Sequence, residues 1–466
     1  MTVQERDLIV LGSGPGGYVA AIRASQLGRK VSVIERETAL GGICGNWGCI
    51  PTKALLRSAQ LYHDMQRSKE FGFETSGIKI DFNRIIERSR EVVNKMSGGV
   101  SLLMRKNKVE VIQGTATFEA PHKISVKDGA GKSTTYAFKD IIIASGARPR
   151  PFPGVEVDGE VIHTYRTILD YRKQPQKILV IGAGAIGIEF AYFFNALGTH
   201  VTVVEMLDQI LPVEDTEIAQ GLQKSLTKHG MTIRTGAAVQ NLKRNGKSAT
   251  ATIKTKEGEE PWSGDCVLVS IGIVPNTDAI GLEKTGIKTE KGFIKTDQFL
   301  RTNVAHHFAI GDCIGNPALA HKASHEAIVA AEAAAGKALH PMRYDNIPSC
   351  TYCQPQVASV GLTERAAKER GLNYKVAKIP FAAIGKAVAI GEPDGFIKAV
   401  VDAEVGEVLG VHILHSEATE LISEATAIRS HEGIAASVVE TIHPHPTLSE
   451  SMGEVMALAL GRPVNF

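Results

Sequence analysis

Two stretches of the chain, residues 7–35 and 177–205, repeat one pattern of apolar and polar positions. Each stretch opens with a short apolar run, continues through a glycine-rich turn into a helical pattern, and ends with a second apolar run. Continuous apolar runs of this length are typical of strands in a parallel sheet that is covered on both faces. The pattern therefore predicts an α/β fold that contains two similar strand–helix–strand copies.

The turns and strand ends of both copies carry the residues that dinucleotide binding requires. These are Gly12, Gly14, Gly17 and Glu35 in the first copy and Gly182, Gly184, Gly187 and Glu205 in the second. The first glycine permits the tight turn, the second lets the backbone approach a pyrophosphate, and the third lets helix and strand pack closely. The helix start then favours the phosphates, and the glutamate accepts hydrogen bonds from ribose hydroxyls. One such motif could be a tight turn and nothing more, but the spacing of 23 residues from the first glycine to the glutamate recurs in both copies.

The residues after Glu205 bear on the choice of nucleotide. Met206, Leu207 and Asp208 follow it, so this segment offers no arginine or lysine to a 2′-phosphate. The Glu205 carboxylate would itself repel that phosphate. The second copy is therefore predicted to bind NAD rather than NADP.

Length, charge and composition limit the remaining alternatives. A chain of 466 residues is too long for one hydrophobic core and is expected to form about three domains. Its formal charge of +2 gives no reason to expect nucleic acid or an anionic membrane as a partner. The apolar stretch 178–194 is interrupted by three glycines and Glu189, so we interpret it as a buried strand and helix and not as a membrane span. The start of the chain does not resemble a secretory signal and cysteines are few, so a cytoplasmic location is expected.

Cys44 and Cys49 lie five residues apart in a glycine-rich segment just after the first copy. In a regular helix that separation is about 7.5 Å of rise, whereas a disulfide needs Cα atoms roughly 4.4–6.8 Å apart. The two cysteines can therefore bridge only if the backbone is distorted, which Gly45 and Gly48 would permit. A strained, accessible bridge at a helix start is the kind that is labile and catalytic. Two unpaired core thiols or a purely structural disulfide are the alternatives.

With these motifs the chain resembles the disulfide-reductase branch of the flavoprotein oxidoreductases, essentially from end to end. The resemblance implies that the first copy binds FAD and the second binds NAD. It also implies that Cys49 lies against the flavin while Cys44 exchanges with the sulfurs of the substrate. Lys53 would lie near the reactive edge of the flavin, paired with Glu189. Without the resemblance, Lys53 would be interpreted as an exposed helix lysine.

Further segments are similar to the cofactor contacts of that family. Residues 141–146 resemble the strand and turn at the exit from the FAD domain, with Ser145 in place of a threonine, and residues 309–312 resemble the motif whose aspartate holds the ribityl chain. Residues 319–323 resemble the lipoyl-dependent members more than the glutathione reductases, although the next two residues depart from the acidic pair expected there. The resemblance therefore adds the FAD-binding residues Ser145, Gly146, Asp312 and Ala320 and the NAD-binding residue Gly272.

The C-terminal segment contains the candidate acid–base group. A histidine, with an ordinary pKa of about 6.5, can take a proton from a dithiol and return it near neutral pH. By resemblance the base is His445, and Glu450 is the partner that orients its ring. The spacing of Thr447 and Glu450 is also that of a capping box for the following helix, so two roles compete for one carboxylate. His443 is expected to be a supporting residue, and the peptide bond before Pro446 is expected to be cis.

The resemblance implies a complete reaction. A protein-bound dihydrolipoyl group would be oxidised to its disulfide through Cys44, Cys49 and FAD, and NAD⁺ would be reduced to NADH. The implied partners are the lipoyl-bearing acyltransferase of a 2-oxoacid dehydrogenase complex or the lipoyl carrier of glycine cleavage. Because His445 would have to reach a disulfide in the FAD domain, the solution in that family is a homodimer whose other subunit supplies the histidine.

Other functions fit the residues less well. A glutathione-type reductase is disfavoured because the basic residues for a 2′-phosphate are missing, and a mercuric reductase because no adjacent cysteine pair follows the C-terminal histidines. A non-catalytic nucleotide-binding scaffold is disfavoured by the intact Cys44/Cys49 and His445/Glu450 pairs.

Cys350 and Cys353 have the spacing of metal ligands, but no second cysteine or histidine pair accompanies them at a zinc-like distance. The usual pattern of the family has no cysteine at either position. We therefore predict no metal site here, and an additional surface disulfide is the remaining alternative.

The order of the motifs predicts four parts along the chain. They are an FAD-binding domain at 1–146, an NAD-binding domain at 147–272, a central segment at 273–345 that completes the FAD site, and an α+β interface domain at 346–466. In the last part we expect strands at 357–361, 397–401 and 408–413 and a helix at 416–431.

Overall fold

A computed structural model describes residues 3–337 and 340–465 of the chain, and the described residues divide into two compact units. The first unit contains the described residues of Met1–Ala54, Asn83–Arg150 and Gly272–Met342. The second contains Leu55–Phe82, Pro151–Ile271 and the described residues of Arg343–Phe466. Each unit therefore combines segments that are far apart in the sequence. The predicted domain limits at 146, 272 and 345 remain predictions.

The first unit is built on a mixed sheet whose centre is parallel. In spatial order its strands are Glu110–Gln113, Val31–Glu35, Gln4–Leu11, Ser133–Ile143, Lys123–Lys127 and Thr115–Ala120, with His307–Ala309 paired parallel to Ser133–Ile143. Short antiparallel pairs join Ala147–Pro149 to Ile273–Pro275 and Thr289–Glu290 to Phe293–Ile294. The helices Pro15–Gln26, Gly42–Trp47 and Ala320–Ala334 belong to this unit, and Cys49–Gln66 and Phe82–Lys106 have residues in both units. The strand before the first glycine turn therefore lies in the middle of the sheet.

Burial on both faces explains the apolar runs of the central strands. Residues 8–11 and 141–143 are buried, and they belong to two hydrophobic clusters on opposite faces of the sheet. Helix Pro15–Gln26 packs against helix Ala320–Ala334, and small residues such as Ala20 make up much of this contact. This packing fixes the helix start at the carboxyl end of the parallel strands, where ligands bind in open α/β sheets.

The second unit contains a parallel sheet and antiparallel sheets. The parallel sheet has the order Thr232–Arg234, His200–Val204, Lys177–Ile181, Cys266–Val269 and Ile162–His163, and a neighbouring antiparallel sheet contains Ala238–Asn245, Ser248–Lys254 and Glu259–Gly264. The C-terminal antiparallel sheet has the order Ser349–Thr351, Gln356–Gly361, Val408–His415, Phe396–Asp402 and Tyr374–Pro380. The helices are Tyr165–Ile168, Ala185–Ala196, Thr216–Lys228, Glu364–Glu369, Gly385–Ala389, Ala418–Ser430, Ala435–Val439 and Glu450–Ala459.

The predicted α/β class is confirmed, as are the C-terminal elements expected at 357–361, 397–401, 408–413 and 416–431. The apolar pattern does not predict the strands Ser349–Thr351 and Tyr374–Pro380. The latter is an edge strand with exposed lysines, and edge strands commonly carry lysine in place of an apolar run.

The start of the first strand and the apolar stretch 178–194 also lie close to the predictions. The first strand begins at Gln4, earlier than residue 7. The apolar pattern does not predict its first half, because that half is more exposed and polar. The apolar stretch forms the buried strand Lys177–Ile181 and the helix Ala185–Ala196, as interpreted from the sequence. In the described part of the chain we find no helix with the length and hydropathy of a membrane span.

Candidate active site

The first glycine turn has a geometry that only glycine allows. Gly12 has a φ of +105°, and a Cβ added there would lie 2.4 Å from the Ala144 carbonyl oxygen. A Cβ on Gly17 would lie 1.9 Å from the carbonyl oxygen of Gly12, so the helix and the turn are in direct backbone contact. Helix Pro15–Gln26 follows, and no side chain caps its first N–H groups. The turn therefore presents free N–H groups and the positive end of a helix dipole.

Glu35 ends the second strand and is bound to the first turn. Its Oε2 accepts hydrogen bonds from the Ser13 backbone nitrogen at 2.9 Å and from Ser13 Oγ at 2.7 Å, and its Oε1 accepts one from the Glu37 nitrogen at 2.9 Å. The carboxylate thus holds the turn, and its contact with a ribose stays a prediction. Ser13 is a contributor that the glycine spacing does not reveal.

The second glycine turn repeats this arrangement. A Cβ on Gly182 would lie 2.5 Å from the Ser270 carbonyl oxygen, and one on Gly187 would lie 2.0 Å from the Gly182 carbonyl oxygen. Glu205 Oε2 accepts from the Ala183 nitrogen at 2.7 Å, and its Oε1 accepts from the Leu207 nitrogen at 3.0 Å. The two copies in the sequence therefore fold into equivalent turns, each with a carboxylate fixed beside it.

The cysteine segment lies directly against the first turn. Gly42 has a φ of +59°, and a Cβ there would lie 2.5 Å from the Gly14 Cα. The Gly41 nitrogen donates a hydrogen bond of 3.1 Å to the Ser13 carbonyl oxygen. These backbone contacts bring the helix that carries Cys44 to the predicted FAD-binding turn.

The distortion expected between the cysteines is located at Gly48. Helix Gly42–Trp47 ends there, with φ −142° and ψ −112° at Gly48, and helix Cys49–Gln66 begins at the next residue. A Cβ on Gly48 would lie 3.1 Å from the Ile43 carbonyl oxygen. The expectation for Gly45 was wrong, since Gly45 lies within the helix and no described atom lies within 4 Å of a Cβ added to it.

Cys44 and Cys49 are both thiols, and their sulfurs are close enough to share a hydrogen bond. The Cys49 sulfur, burial and the Asp312 carboxylate raise the pKa of the Cys44 thiol, and the Lys53 ammonium opposes this shift. A proton is therefore favoured on Cys44 in the reduced pair. The structure thus brings the predicted residues Cys44, Cys49, Lys53 and Asp312 together in the first unit.

Glu189, the predicted partner of Lys53, belongs to the second unit. It is buried in helix Ala185–Ala196, and its Oε1 accepts a hydrogen bond of 3.1 Å from the Tyr352 nitrogen. A backbone donor from the C-terminal sheet region therefore fixes this carboxylate. The pairing of Lys53 with Glu189 stays a prediction.

Asp312 lies in the short 3₁₀ helix Gly311–Ile314, which follows the strand His307–Ala309. Its carboxylate accepts no hydrogen bond from any residue in the described ranges. Burial raises the pKa of Asp312, and the charge of Lys322 opposes that rise. This partly buried carboxylate is suited to accept hydrogen bonds from the hydroxyl groups of a ligand.

The other predicted cofactor residues lie at element ends. Ser145 and Gly146 follow the strand Ser133–Ile143, and Asn276 binds both through hydrogen bonds of 3.0 Å to their carbonyl oxygens. Ala320 begins helix Ala320–Ala334. The predicted NAD-binding Gly272 is the first residue of the third segment of the first unit, and its carbonyl oxygen accepts a hydrogen bond from the Arg150 nitrogen at 2.9 Å.

His445 and Glu450 form a pair in the second unit. His445 Nδ1 donates to Glu450 Oε1 at 2.8 Å, and Glu450 Oε2 accepts from the Thr447 nitrogen at 2.8 Å. The predicted capping box at Thr447 was wrong, because the helix begins at Glu450 with Ser449 as its N-cap and no side-chain cap bond. The His445–Pro446 bond is cis, as expected.

The environments of the two histidines differ. The His445 side chain is 78% exposed, whereas His443 is 11% exposed and donates through Nε2 to Glu424 Oε1 at 2.7 Å. His443 therefore has a carboxylate partner of its own, which agrees with a supporting role. His445 presents its Nε2 outward, where a proton donor can approach.

Family comparison agrees with this geometry. Residues 6–327 match the pyridine nucleotide-disulphide oxidoreductases, and residues 347–456 match the dimerisation domain of the same family. The chain belongs to the pyridine nucleotide-disulphide oxidoreductases. The resemblance seen in the sequence is thereby confirmed, together with the oxidoreductase class.

Individual relatives match the oxidoreductase over its whole length. A dihydrolipoyl dehydrogenase from Zymomonas mobilis subsp. mobilis is 50% identical over 464 residues, which covers 99% of each chain. One from Bacillus subtilis is 44% identical over 472 residues and also covers 99% of each. The crystal structure of LpdA from Mycobacterium tuberculosis has a TM-score of 0.91 at 27% identity and covers 98% of this chain and 99% of that one.

The family confirms FAD and NAD as the cofactors, and the described residues fit both. Beside the cysteines, Asn46 is 2% exposed and its Oδ1 has no hydrogen-bond partner in the described residues, so a polar group of a ligand can satisfy it. In the second turn, no described atom lies within 4 Å of a Cβ added to Gly184, which leaves room for a pyrophosphate against the backbone.

The second cysteine pair does not match the alternative suggested by its sequence. Cys353 is fully buried and its sulfur lies 3.1 Å from the Pro355 carbonyl oxygen, so a surface disulfide with Cys350 is wrong. The described part of the chain has no group of three or more histidine, cysteine or carboxylate side chains placed to hold a metal ion.

Proposed function

We propose that the chain oxidises a protein-bound dihydrolipoyl group and reduces NAD⁺, which is the activity of a dihydrolipoyl dehydrogenase. The observation that carries the proposal is the Cys44/Cys49 pair, whose sulfurs approach each other beside the first dinucleotide turn. Relatives that bear this name match nearly the full chain at up to 50% identity. The exposed His445–Glu450 pair supplies the acid–base group that a dithiol substrate requires.

The first half of the reaction is a thiol–disulfide exchange. His445 takes a proton from one substrate thiol, and the resulting thiolate attacks Cys44, which breaks the Cys44–Cys49 bond and leaves Cys49 as a thiolate. The second substrate thiol loses its proton to solvent, and its sulfur attacks the first. This closes the lipoyl ring and releases Cys44, which receives the proton held by His445. The substrate has then lost two electrons, and the cysteine pair has gained them.

The local electrostatics favour this distribution of charge. Because the hydrogen bond to Cys49 and burial raise the pKa of the Cys44 thiol, the reduced pair keeps a proton on Cys44. Bound FAD would take the electron pair from Cys49 and deliver it as hydride to NAD⁺. FAD would be held by the first turn with Glu35 and Asp312, and NAD by the second turn with Glu205.

A comparison of substrates tests the proposal. We expect NAD⁺ reduction by dihydrolipoamide to exceed NADPH-driven reduction of glutathione disulfide, since Glu205 and Asp208 disfavour a 2′-phosphate. Cys44→Ser should abolish lipoyl turnover while FAD absorbance is retained, and the matched control Cys350→Ser should keep both. Anaerobic NADH should produce a long-wavelength absorption band from a thiolate next to the flavin. Lipoyl turnover in the Cys44→Ser variant would contradict the proposal.

We also propose that the working enzyme is a homodimer in which His445 serves the cysteines of the other subunit. The match to a dimerisation domain at residues 347–456 supports this, as do the large exposed apolar side chains Ile442, 95% exposed, and Val405, 68% exposed. The substrate would be the lipoyl group of a 2-oxoacid dehydrogenase acyltransferase or of a glycine-cleavage carrier. The cytoplasmic location stays a prediction.

Mixed dimers test this arrangement directly. Co-expression of Cys44→Ser and His445→Gln chains gives heterodimers with two different sites. One site combines the intact cysteines of one chain with the intact histidine of the other, and the second site lacks both groups. Random pairing should therefore restore about a quarter of the wild-type activity, although each parent variant alone is inactive. No recovery in dimers of confirmed mixed composition would place the histidine and cysteines in one chain.

A further inference from the structure

Helix Ala320–Ala334 carries a completely buried ion pair beside Asp312. Lys322 Nζ lies 3.3 Å from Glu326 Oε1, and the side chains are 1% and 0% exposed. Burying two charges costs free energy that their mutual attraction recovers only when further hydrogen bonds satisfy them. The direction of those further bonds therefore indicates what the pair does.

The further bonds go to the turn that carries Asp312. Lys322 Nζ donates to the carbonyl oxygens of Gly311 at 3.3 Å and Gly315 at 2.9 Å. Glu326 Oε2 accepts a hydrogen bond of 2.7 Å from the Gly311 nitrogen. Both polar backbone groups of Gly311 are thus bound by one helix, and the peptide bond that joins Gly311 to Asp312 is held through its oxygen.

Gly311 needs such a restraint. Its φ is +76°, and a glycine in this position can leave the conformation at little cost when nothing holds it. Apolar side chains in place of Lys322 and Glu326 could fill the same space, but the N–H and C=O groups of Gly311 would then lose these hydrogen-bond partners. Many neighbouring positions of helix Ala320–Ala334 are alanine, so the charged pair stands out in an otherwise apolar contact.

The held residue, in turn, has an unsatisfied side chain. The Asp312 carboxylate receives no hydrogen bond from the described residues, and it would lose its orientation if the turn moved. Lys322 also contributes a positive charge that favours the ionised carboxylate.

We propose that Lys322 and Glu326 are positioning residues for the flavin, which they serve by holding the Gly311–Asp312 peptide so that the Asp312 carboxylate is fixed before FAD binds. The inference rests on the proposed function, in which Asp312 receives the ribityl hydroxyls of FAD. Apolar residues of similar volume commonly stabilise a protein as much as a buried ion pair does. The positioning role explains why two charges are buried here.

A double-mutant cycle on FAD affinity tests the proposal. The four proteins are the wild type, Lys322→Met/Glu326→Leu, Asp312→Asn, and the combination of all three changes. Apoprotein is prepared from each, and the dissociation constant of FAD is measured by quenching of flavin fluorescence on reconstitution. We expect the apolar pair to weaken FAD binding at least about tenfold in the wild-type background and less than about twofold in the Asp312→Asn background.

Two controls separate positioning from folding. Lys398→Met removes another buried lysine, which lies in the second unit, and it should leave the FAD dissociation constant unchanged. Glu326→Gln keeps an acceptor for the Gly311 nitrogen, so it should retain most of the affinity that Glu326→Leu loses. The comparison of Glu326→Gln with Glu326→Leu also tests the proposal if the Lys322→Met/Glu326→Leu protein does not fold.

The outcomes are distinct. Equal losses of affinity in both Asp312 backgrounds, or none in either, would overturn the positioning role. Failure of the wild-type apoprotein to bind FAD would instead contradict the proposed function. The midpoint potential of the bound flavin gives a second measurement, which should shift in Lys322→Met/Glu326→Leu and not in Lys398→Met.

Discussion

Glu450 Oε1 accepts a hydrogen bond of 2.8 Å from Nδ1 of His445, while the other oxygen of the same carboxylate accepts one from the Thr447 nitrogen. The Thr447 N–H and the His445 ring both lower the pKa of Glu450, so the carboxylate is an anion at neutral pH. The Nδ1–H bond to this anion fixes the orientation of the ring and leaves Nε2 as the atom that exchanges a proton with substrate.

Replacing either member of this pair should therefore change catalysis in a specific way. His445→Gln should lower kcat for dihydrolipoamide oxidation by about 10²–10⁴-fold, the usual contribution of a general acid–base group. In Glu450→Gln the ring loses the anion that orients it, so kcat should also fall, by at least about tenfold. Steady-state rates measured between pH 5 and pH 9 check both expectations.

His443→Gln is the matched control, because His443 lies two residues away and has its own partner in Glu424. We expect a loss of less than about tenfold and an unmoved pH profile for this variant. A wild-type kcat in Glu450→Gln would contradict the orienting role of the carboxylate.

The glycines around the cysteines should respond to alanine in opposite ways. Gly42→Ala places a Cβ 2.5 Å from the Gly14 Cα in a left-handed backbone, so the contact with the first turn must open and FAD affinity should fall. Gly45→Ala meets nothing within 4 Å among the described residues and should stabilise the helix by about 0.5–1 kcal/mol. Flavin content after purification and thermal unfolding measure the two effects, and a loss of FAD in Gly45→Ala would be the contrary result.

Sequence patterns predict the parts of this site that depend on neighbouring residues. The two glycine turns and their glutamates follow from spacing, because the strand, turn, helix and acid lie within one short stretch. The same local reasoning shows that the cysteines need a distorted backbone. It does not show that Gly48 provides the distortion, since the choice depends on where the first helix ends and on the approach of the Ile43 carbonyl oxygen.

The parts that escape prediction depend on residues far apart in the chain. Ser13 is bound to Glu35, and Gly311 is bound to Glu326, only after the strands and helices pack. The sequence resemblance identifies Asp312 as a flavin contact, but it does not show that a buried ion pair on another helix holds its turn. A pattern in one dimension contains no information on which buried charge faces which peptide group.

A second buried charge cluster makes stability depend on pH. Lys398 is 1% exposed and lies 3.0 Å from Asp215 and 2.6 Å from Glu364. Burial alone would raise the pKa of Asp215, but the Lys398 ammonium outweighs it and the pKa lies below the ordinary value of 3.8. The stabilising contribution of Asp215 is therefore complete above its ordinary pKa and is lost as pH falls through the lower folded value.

Asp215→Asn should accordingly reduce the free energy of unfolding by about 1–3 kcal/mol at pH 7, because Lys398 loses one buried carboxylate partner and keeps Glu217 and Glu364. The loss should shrink as pH falls below 3.8, because the carboxyl of the unfolded chain then becomes protonated before that of the folded protein. Urea unfolding at several pH values measures this dependence. Glu260→Gln, which removes an exposed ion pair with Arg234, should cost no more than about 1 kcal/mol, and a similar cost for both variants would contradict the prediction.

A change of preference from NAD⁺ toward NADP⁺ should depend on Lys256, a lysine that the sequence around Glu205 does not reveal. Lys256 Nζ lies 3.6 Å from Asp208 Oδ1, and the Gly236 nitrogen, beside both side chains, donates to the Leu207 carbonyl oxygen at 2.8 Å. Glu205→Ala/Asp208→Asn removes the carboxylate that ends the second strand and the carboxylate beside this ammonium, so the ratio of kcat/KM for NADP⁺ to that for NAD⁺ should rise at least about tenfold. Adding Lys256→Ala should cancel most of the gain, because the 2′-phosphate then loses its cation. A gain that persists without Lys256 would mean that relief of repulsion alone sets the preference.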